Sequence, residues 1–144
     1  MSDLERAISI ALEKHKGQTD KSGAPYILHP PRLMMKFDSE LEQIVAILHD
    51  TIEDSDLAIN DLETANFSQE VVFAIDCLTK RQGESYEAYI KRVLSNSLAS
   101  KIRIEDLKDN LKITRLENIT EKDITRIKKY HNTFQVIMKT HPDC

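Results

Sequence analysis

The sequence predicts an all-α fold. Apolar residues recur at helical spacing along nearly the whole chain. Only three glycines and four prolines occur, and none interrupts a stretch that needs helical continuity. Nowhere does a sustained two-residue alternation run between hairpin turns. About seven helices are expected, in one domain spanning residues 1–144, with no repeat, low-complexity segment or linker.

The first helix starts at Leu4 and presents Leu4, Ala7, Ile8, Ala11 and Leu12 on one face, ending near His15 before Gly17. His15 reads as a histidine at the negative end of a helix dipole. Residues 17–31 hold two glycines and three prolines and read as a loop. A short helix follows over Arg32–Lys36, with Pro30 or Pro31 in its first turn. Ser39 is an N-cap with Glu42 as its capping-box partner, opening a helix that carries Leu41, Ile44, Val45, Ile47, Leu48 and Ile52. Asp56–Thr64 is a turn with a short helix. Ser68 caps a helix carrying Val71, Val72, Ala74, Ile75 and Leu78, with Cys77 in its core face, and Gln82-Gly83-Glu84 ends it. Ser85 precedes a helix with Tyr86, Tyr89, Ile90, Val93 and Leu94, the tyrosines as packing residues. A further helix covers roughly Ala99–Ile113. Thr120 with Asp123 forms a capping box for the last helix, whose apolar face is Ile124, Ile127, Tyr130, Phe134, Ile137 and Met138. His131 and His141 read as surface residues.

Composition excludes several functions. The formal net charge is -4 with a pI near 5.7, so the chain does not grip nucleic acid by bulk positive charge. No apolar run spans a membrane and no secretory signal is visible. Cys77 and Cys144 make neither a disulfide framework nor a CxxC site, and a reduced, cytoplasmic setting is the expectation. Gly17 and Gly23 are isolated and fit no phosphate-binding glycine loop.

Chemistry concentrates in three blocks. Leu48-His49-Asp50-Thr51-Ile52-Glu53-Asp54 ends an apolar helix, and its 3- and 4-residue spacings put His49, Asp50, Glu53 and Asp54 on adjoining surfaces. Several carboxylates brought together repel one another and lose hydration, a cost that a cation removes. The bland alternative is an exposed polar helix end. In Pro25-Tyr26-Ile27-Leu28-His29-Pro30-Pro31, prolines stiffen the backbone around His29, which suits either a metal ligand or a histidine capping the next helix. In Ile102–Leu111, Asp106 and Asn110 stand four apart beside an apolar stripe, either as site residues or as a solvated helix face.

The order His29, His49-Asp50, Asp106 resembles the H…HD…D pattern of HD-domain metal-dependent phosphohydrolases. The resemblance extends to the RelA/SpoT-type guanosine tetraphosphate (ppGpp) hydrolases. It rests on Gly17-Gln18, on Asp20-Lys21-Ser22-Gly23-Ala24-Pro25-Tyr26-Ile27-Leu28-His29-Pro30, on Leu48–Asp54, and on Asp106 with Asn110, and it covers about Leu4 to Tyr130. It implies an HD-domain helical bundle in which His29, His49, Asp50 and Asp106 bind one divalent metal, typically manganese; an imidazole and carboxylate set also suits iron, cobalt or zinc. It implies Glu53 and Asp54 as the catalytic pair that orients or deprotonates the attacking water. It implies Lys21, Tyr26 and Asn110 as contacts to a phosphorylated guanosine nucleotide, which loses pyrophosphate from its ribose 3′ position. At 144 residues the chain has no room for a synthetase domain as well, so hydrolysis alone is expected.

Three positions depart from the family pattern. Asp20 stands where arginine is usual, Asp109 where histidine is usual, and Ile113 where a pocket threonine is usual. Two of the changes add negative charge beside a site for a polyanion, which predicts weaker binding if they point inward. Lys80, Arg81, Lys108 and Lys112 are candidates for compensating phosphate contacts or are solvated surface charges. Two alternatives stay open: hydrolysis of another phosphorylated nucleotide, and a non-catalytic metal- and nucleotide-binding regulatory module.

Overall fold

The computed structural model describes residues 1–144. It contains eight α-helices, two 3-10 turns and no strand: α1 (Asp3–Lys14), α2 (His29–Met34), α3 (Glu40–Leu48), α4 (Ile59–Thr64), α5 (Gln69–Leu78), α6 (Tyr86–Leu94), α7 (Ser97–Asn110) and α8 (Glu121–Thr140), with 3-10 turns at Tyr26–Leu28 and Ile113–Arg115. None of the helices is long and apolar enough to cross a membrane.

Helix starts follow the caps. The side chains of Ser39, Ser68, Ser85 and Thr120 each accept a hydrogen bond from the backbone N–H three residues on. Thr120 and Asp123 form a full capping box, as Ser2 and Glu5 do for α1. At α3 the box is half-built. The Glu42 carboxylate accepts from Ser39 Oγ at 2.6 Å and pairs with Lys101 instead of returning to the Ser39 backbone.

Helices α3 and α7 form the interior, with α1, α2 and α5 packed on α3, and α2, α5, α6 and α8 on α7. The core includes Val45, Ile47 and Leu48 from α3, Ile75 from α5 and Ile102, Ile104 and Leu107 from α7. Helix α1 rests on α3 through Ala7 and Ala11, small residues that allow close approach, while Ile8 and Leu12 stay exposed, contrary to the expected stripe. In the same way Ile124 is exposed and α8 docks through Thr133 and Ile137, with Tyr130, Phe134 and Met138 half-buried. His141 is half-buried, with Nε2 2.9 Å from the Leu94 carbonyl.

Boundaries of four helices differ from the sequence reading: α5 ends at Leu78, ahead of the expected Gln82-Gly83-Glu84 break, and α7 runs Ser97–Asn110 instead of about Ala99–Ile113. Helix α2 begins at His29, ahead of its prolines, and ends at Met34. Helix α3 stops at Leu48 and does not reach Ile52. The N–H and hydroxyl of Thr51 both donate to the Leu48 carbonyl, at 3.2 and 2.9 Å, which tightens the last turn and ends the i→i−4 ladder. The chain therefore turns at the residues that carry the chemistry.

Candidate metal centre

The last turn of α3, the start of α2 and the middle of α7 converge on one buried point. His29 Nε2 lies 2.9 Å from Asp106 Oδ1, and His49 Nε2 lies 3.4 Å from the same oxygen. Asp50 Oδ2 stands 3.6 Å from His49 Nε2. His29, His49 and Asp106 each offer one ligand atom, all within 4.8 Å of one another. Donor atoms that share an octahedral ion, with bonds of about 2.0–2.2 Å, stand about 3 Å apart, so this spacing fits a single cation.

The surroundings aim the donors. His49 Nδ1 faces the Ala46 carbonyl at 2.7 Å, which leaves Nε2 turned to the centre. His29 Nδ1 faces Asp109 Oδ2 at 2.6 Å. The Asn110 amide donates to Asp106 Oδ1 at 2.8 Å, and Arg103 pairs with Asp106 Oδ2. The Tyr26 hydroxyl donates to Asp50 Oδ2. A carboxylate or carbonyl behind each imidazole is the arrangement that fixes ring orientation at metal sites. The donor set and its supports fit a divalent metal ion.

Electrostatics carry the same mark. Burial alone would lower the His49 pKa, but the charges of Asp50 and Asp106 outweigh it and push it up to about 10. His29 is raised against burial by Asp106 and Asp109. Burial opposes the ionised form of Asp50, yet His49, His15 and Tyr26 hold it down to about 2, and His49 and Arg103 hold Asp106 well below the usual carboxylate range. In Glu53 and Asp54 burial prevails and both pKa values rise, with the neighbouring acids adding to it. Glu53 also accepts from the Lys80 backbone N–H.

All nine residues singled out in the sequence, from Lys21 to Asn110, line one pocket. Two of them are also tied to the centre itself. Tyr26 and Asn110, expected on a nucleotide, are hydrogen-bonded to Asp50 and Asp106. Lys21 is exposed in the pocket wall. Of the four candidate phosphate contacts only Lys112 lines the pocket; Arg81 pairs with Asp76 and Lys108 with Glu105.

The two acidic departures do not act as free charges. Asp109 is buried and bonded to His29, to Arg32 Nε at 3.0 Å and to Arg115 Nη2 at 2.6 Å. Asp20 Oδ1 accepts from Ser22 N, Ser22 Oγ and Ala24 N, at 2.9, 2.7 and 3.0 Å, and so closes its own loop. Gly23 completes that loop with a φ of +87°, a conformation that favours glycine. Ile113 opens the second 3-10 turn and forms an apolar part of the pocket wall. The wall carries six acids and six Lys or Arg side chains. A bound divalent cation makes the balance positive, as a polyanion requires.

Sequence reasoning missed four contributors. His15 is buried, its Nε2 3.2 Å from Asp50 Oδ1, and is no mere dipole cap. Arg32, Arg103 and Arg115 are assigned no part in the site by the sequence reading, yet each pairs with Asp106 or Asp109. Only the Arg103–Asp106 spacing of three residues on one helix was a visible signal.

No family model matches the chain. Curated relatives do. The Aquifex aeolicus guanosine-3′,5′-bis(diphosphate) 3′-pyrophosphohydrolase is 31% identical over 123 residues, which is 76% of this chain and 17% of that protein. The Vibrio cholerae protein of the same name is 38% identical over 81 residues, 54% of this chain and 11% of that one. The chain thus spans less than a fifth of the length of these relatives. A solved structure of a metazoan SpoT ortholog, described as hydrolysing ppGpp, superposes with a TM-score of 0.79 at 19% identity, covering 96% of this chain and 86% of that one.

Proposed function

We propose that this chain, an HD-type domain of the RelA/SpoT hydrolase-like kind, is a metal-dependent phosphohydrolase that removes pyrophosphate from the ribose 3′ position of ppGpp or a closely related guanosine nucleotide. The observation that carries the reading is the buried His29–His49–Asp106 cluster, with Asp50 beside it and the Glu53–Asp54 pair in the same pocket. The named activity of the relatives supports it. Residues 1–144 act as a single domain in this reading.

His29, His49, Asp50 and Asp106 would hold one divalent ion, with manganese as the assignment. When bound, such an ion supplies Lewis acidity for phosphoryl chemistry at neutral pH. The rest falls to the chain's own side chains. Asp109 fixes the His29 ring and Ala46 the His49 ring, so both Nε2 atoms stay turned inward. Tyr26 orients Asp50, and Asn110 with Arg103 orients Asp106. Glu53 and Asp54, both raised in pKa, are suited to take a proton from the attacking water. Lys21, Lys112 and Arg126 in the pocket wall offer the charge that meets phosphate groups.

The test is pyrophosphate release from ppGpp by the purified chain, with manganese and with chelator. Release only with metal is the expected result. Asp106→Ala is expected to lose metal and turnover together, and Glu53→Ala to keep metal and lose turnover. Full activity in Asp106→Ala would overturn the assignment. Metal binding without turnover on ppGpp would move the substrate to another phosphorylated nucleotide.

A further inference from the structure

Glu53 stands on a turn past the end of α3, where no helical ladder holds it. Its carboxylate has one hydrogen bond, accepted from the backbone N–H of Lys80, 27 residues away between α5 and α6. Whatever fixes that N–H therefore fixes Glu53.

The peptide unit that carries the Lys80 N–H also carries the Thr79 carbonyl. A trans peptide is planar, with its C=O and N–H pointing in opposite directions, and the chain has no cis peptide bond. The direction of the Lys80 N–H is thus set by the direction of the Thr79 C=O. That carbonyl accepts from Arg92 Nη2 at 2.6 Å. Arg92 belongs to α6, and its guanidinium is held on three other bonds. Nη1 donates to the Asp76 carbonyl, and Nε and Nη2 donate to the two oxygens of Glu84, all at 2.7 Å. Glu84 Oε1 in turn accepts from the Arg81 N–H at 3.0 Å. Both flanks of Lys80 are therefore pinned, one by Arg92 and the other by its partner Glu84. Capping of α5 accounts for the bonds to Asp76 and Thr79. It does not account for the two-pronged bond to Glu84, which lies beyond the helix and fixes the far side of Lys80.

We propose that Arg92 is a positioning residue for hydrolysis: through the Thr79–Lys80 peptide it aims the Lys80 N–H at Glu53 and holds that carboxylate where it meets the attacking water. The inference rests on the reading of Glu53 as the proton acceptor of the proposed hydrolase. The same N–H favours the ionised carboxylate, against the burial that raises its pKa. Only the ionised form accepts a proton.

The experiment joins steady-state hydrolysis of ppGpp with manganese to the 1H–15N spectrum of the full chain, recorded metal-free to avoid broadening by manganese. In Arg92→Ala, kcat is expected to fall by about 10- to 100-fold through misplacement of Glu53, with KM and bound manganese unchanged. Its Lys80 amide should exchange faster and shift in the direction that Glu53→Gln shifts it. Arg92→Lys keeps a cation beside Glu84, but its single nitrogen lacks the fork that reaches Glu84, Asp76 and Thr79 together, so kcat should stay low. It decides the matter if circular dichroism shows Arg92→Ala unfolded. The control for stability is Arg6→Ala. Arg6 donates to the Ala65 carbonyl at the end of α4 and lies outside the pocket, so this variant should melt lower with kcat unchanged. Wild-type kcat in folded Arg92→Ala or in Arg92→Lys overturns the proposal, as does an equal loss of kcat in Arg6→Ala. An undisturbed Lys80 amide in Arg92→Ala, or in Glu53→Gln, overturns it whatever the substrate. A wild type that leaves ppGpp intact counts against the substrate reading, and the Lys80 amide then decides the present one.

Discussion

Removal of the Asp109 carboxylate should loosen the metal centre from outside it. The Asp109 carboxylate has no hydrogen bond to His49 or Asp106; its reach is through His29, whose Nδ1 lies 2.6 Å from Asp109 Oδ2. In Asp109→Ala that nitrogen loses the acceptor that sets ring angle and tautomer, while Arg32 and Arg115 lose the carboxylate that both of them share. Loss of such an outer partner lowers metal affinity or activity by about 10- to 100-fold, or roughly 1.4–2.7 kcal/mol. The upper part of that range is expected, because His29 is buried and no other acceptor stands at its Nδ1. Asp109→Asn keeps an acceptor oxygen for His29 and should recover most of the affinity while leaving the arginines unbalanced. The assay is calorimetric titration of metal-free protein with manganese, with thermal melting as the control for folding. Wild-type affinity in folded Asp109→Ala would refute the view that Asp109 orients His29.

Two further outcomes follow from the charges. Hydrogen bonds from Arg92 and from the Arg81 amide hold the Glu84 carboxyl at about 2, below its ordinary 4.5. A depressed carboxyl stabilises the fold above its unfolded pKa and ceases to do so as pH falls through the folded value. Glu84→Gln should therefore unfold at lower urea than wild type at pH 7, with the gap closing between about pH 4.5 and 2; an equal gap at pH 2 and pH 7 would count against the pairing. His49 is pushed up to about 10 in the metal-free state, and only its neutral ring binds metal, so manganese binding near pH 7 should release protons. Calorimetry in buffers of different ionisation enthalpy reads this directly, and identical heats in all of them would refute it.

How much was legible in the sequence depended on distance along the chain. The caps at Ser39, Ser68, Ser85 and Thr120 work within four residues, and the structure has all four helix starts there. The end of α3 was misplaced because an apolar pattern continues to Ile52, while the stop is made by Thr51 bonding back to Leu48. The charged stretch of α7 was the hardest to read. Arg103, Asp106 and Asp109 are buried, and composition alone makes them a solvated face. Burial becomes affordable only through partners such as His29 and Arg32, 80 and 77 residues from Asp109. His15 was hidden for the same reason: its meaning lies in Asp50, 35 positions away, and local spacing carries no trace of it.

Local partners bear on one further expectation about substrate binding. Asp20 replaces an arginine usual in the family, and a bare carboxylate there should repel a polyphosphate. In the fold the carboxylate accepts three hydrogen bonds from Ser22 and Ala24, and these outweigh burial to keep its pKa below the ordinary value. Its charge is drawn into the turn that carries Lys21, and with Lys21 proposed to meet phosphate its effect on ligand is expected to run through the position of that lysine. If repulsion dominated, Asp20→Ala would lower KM for ppGpp. If loop closure dominates, Asp20→Ala frees the turn, Lys21 is held less well, and KM rises severalfold while kcat changes little, because the His29–His49–Asp106 centre is untouched. Asp20→Asn separates the two further: it removes the charge but keeps an oxygen for the Ser22 and Ala24 N–H groups, so KM should stay near the wild-type value. A KM that falls tenfold in both variants would show that the carboxylate acts as a free charge after all.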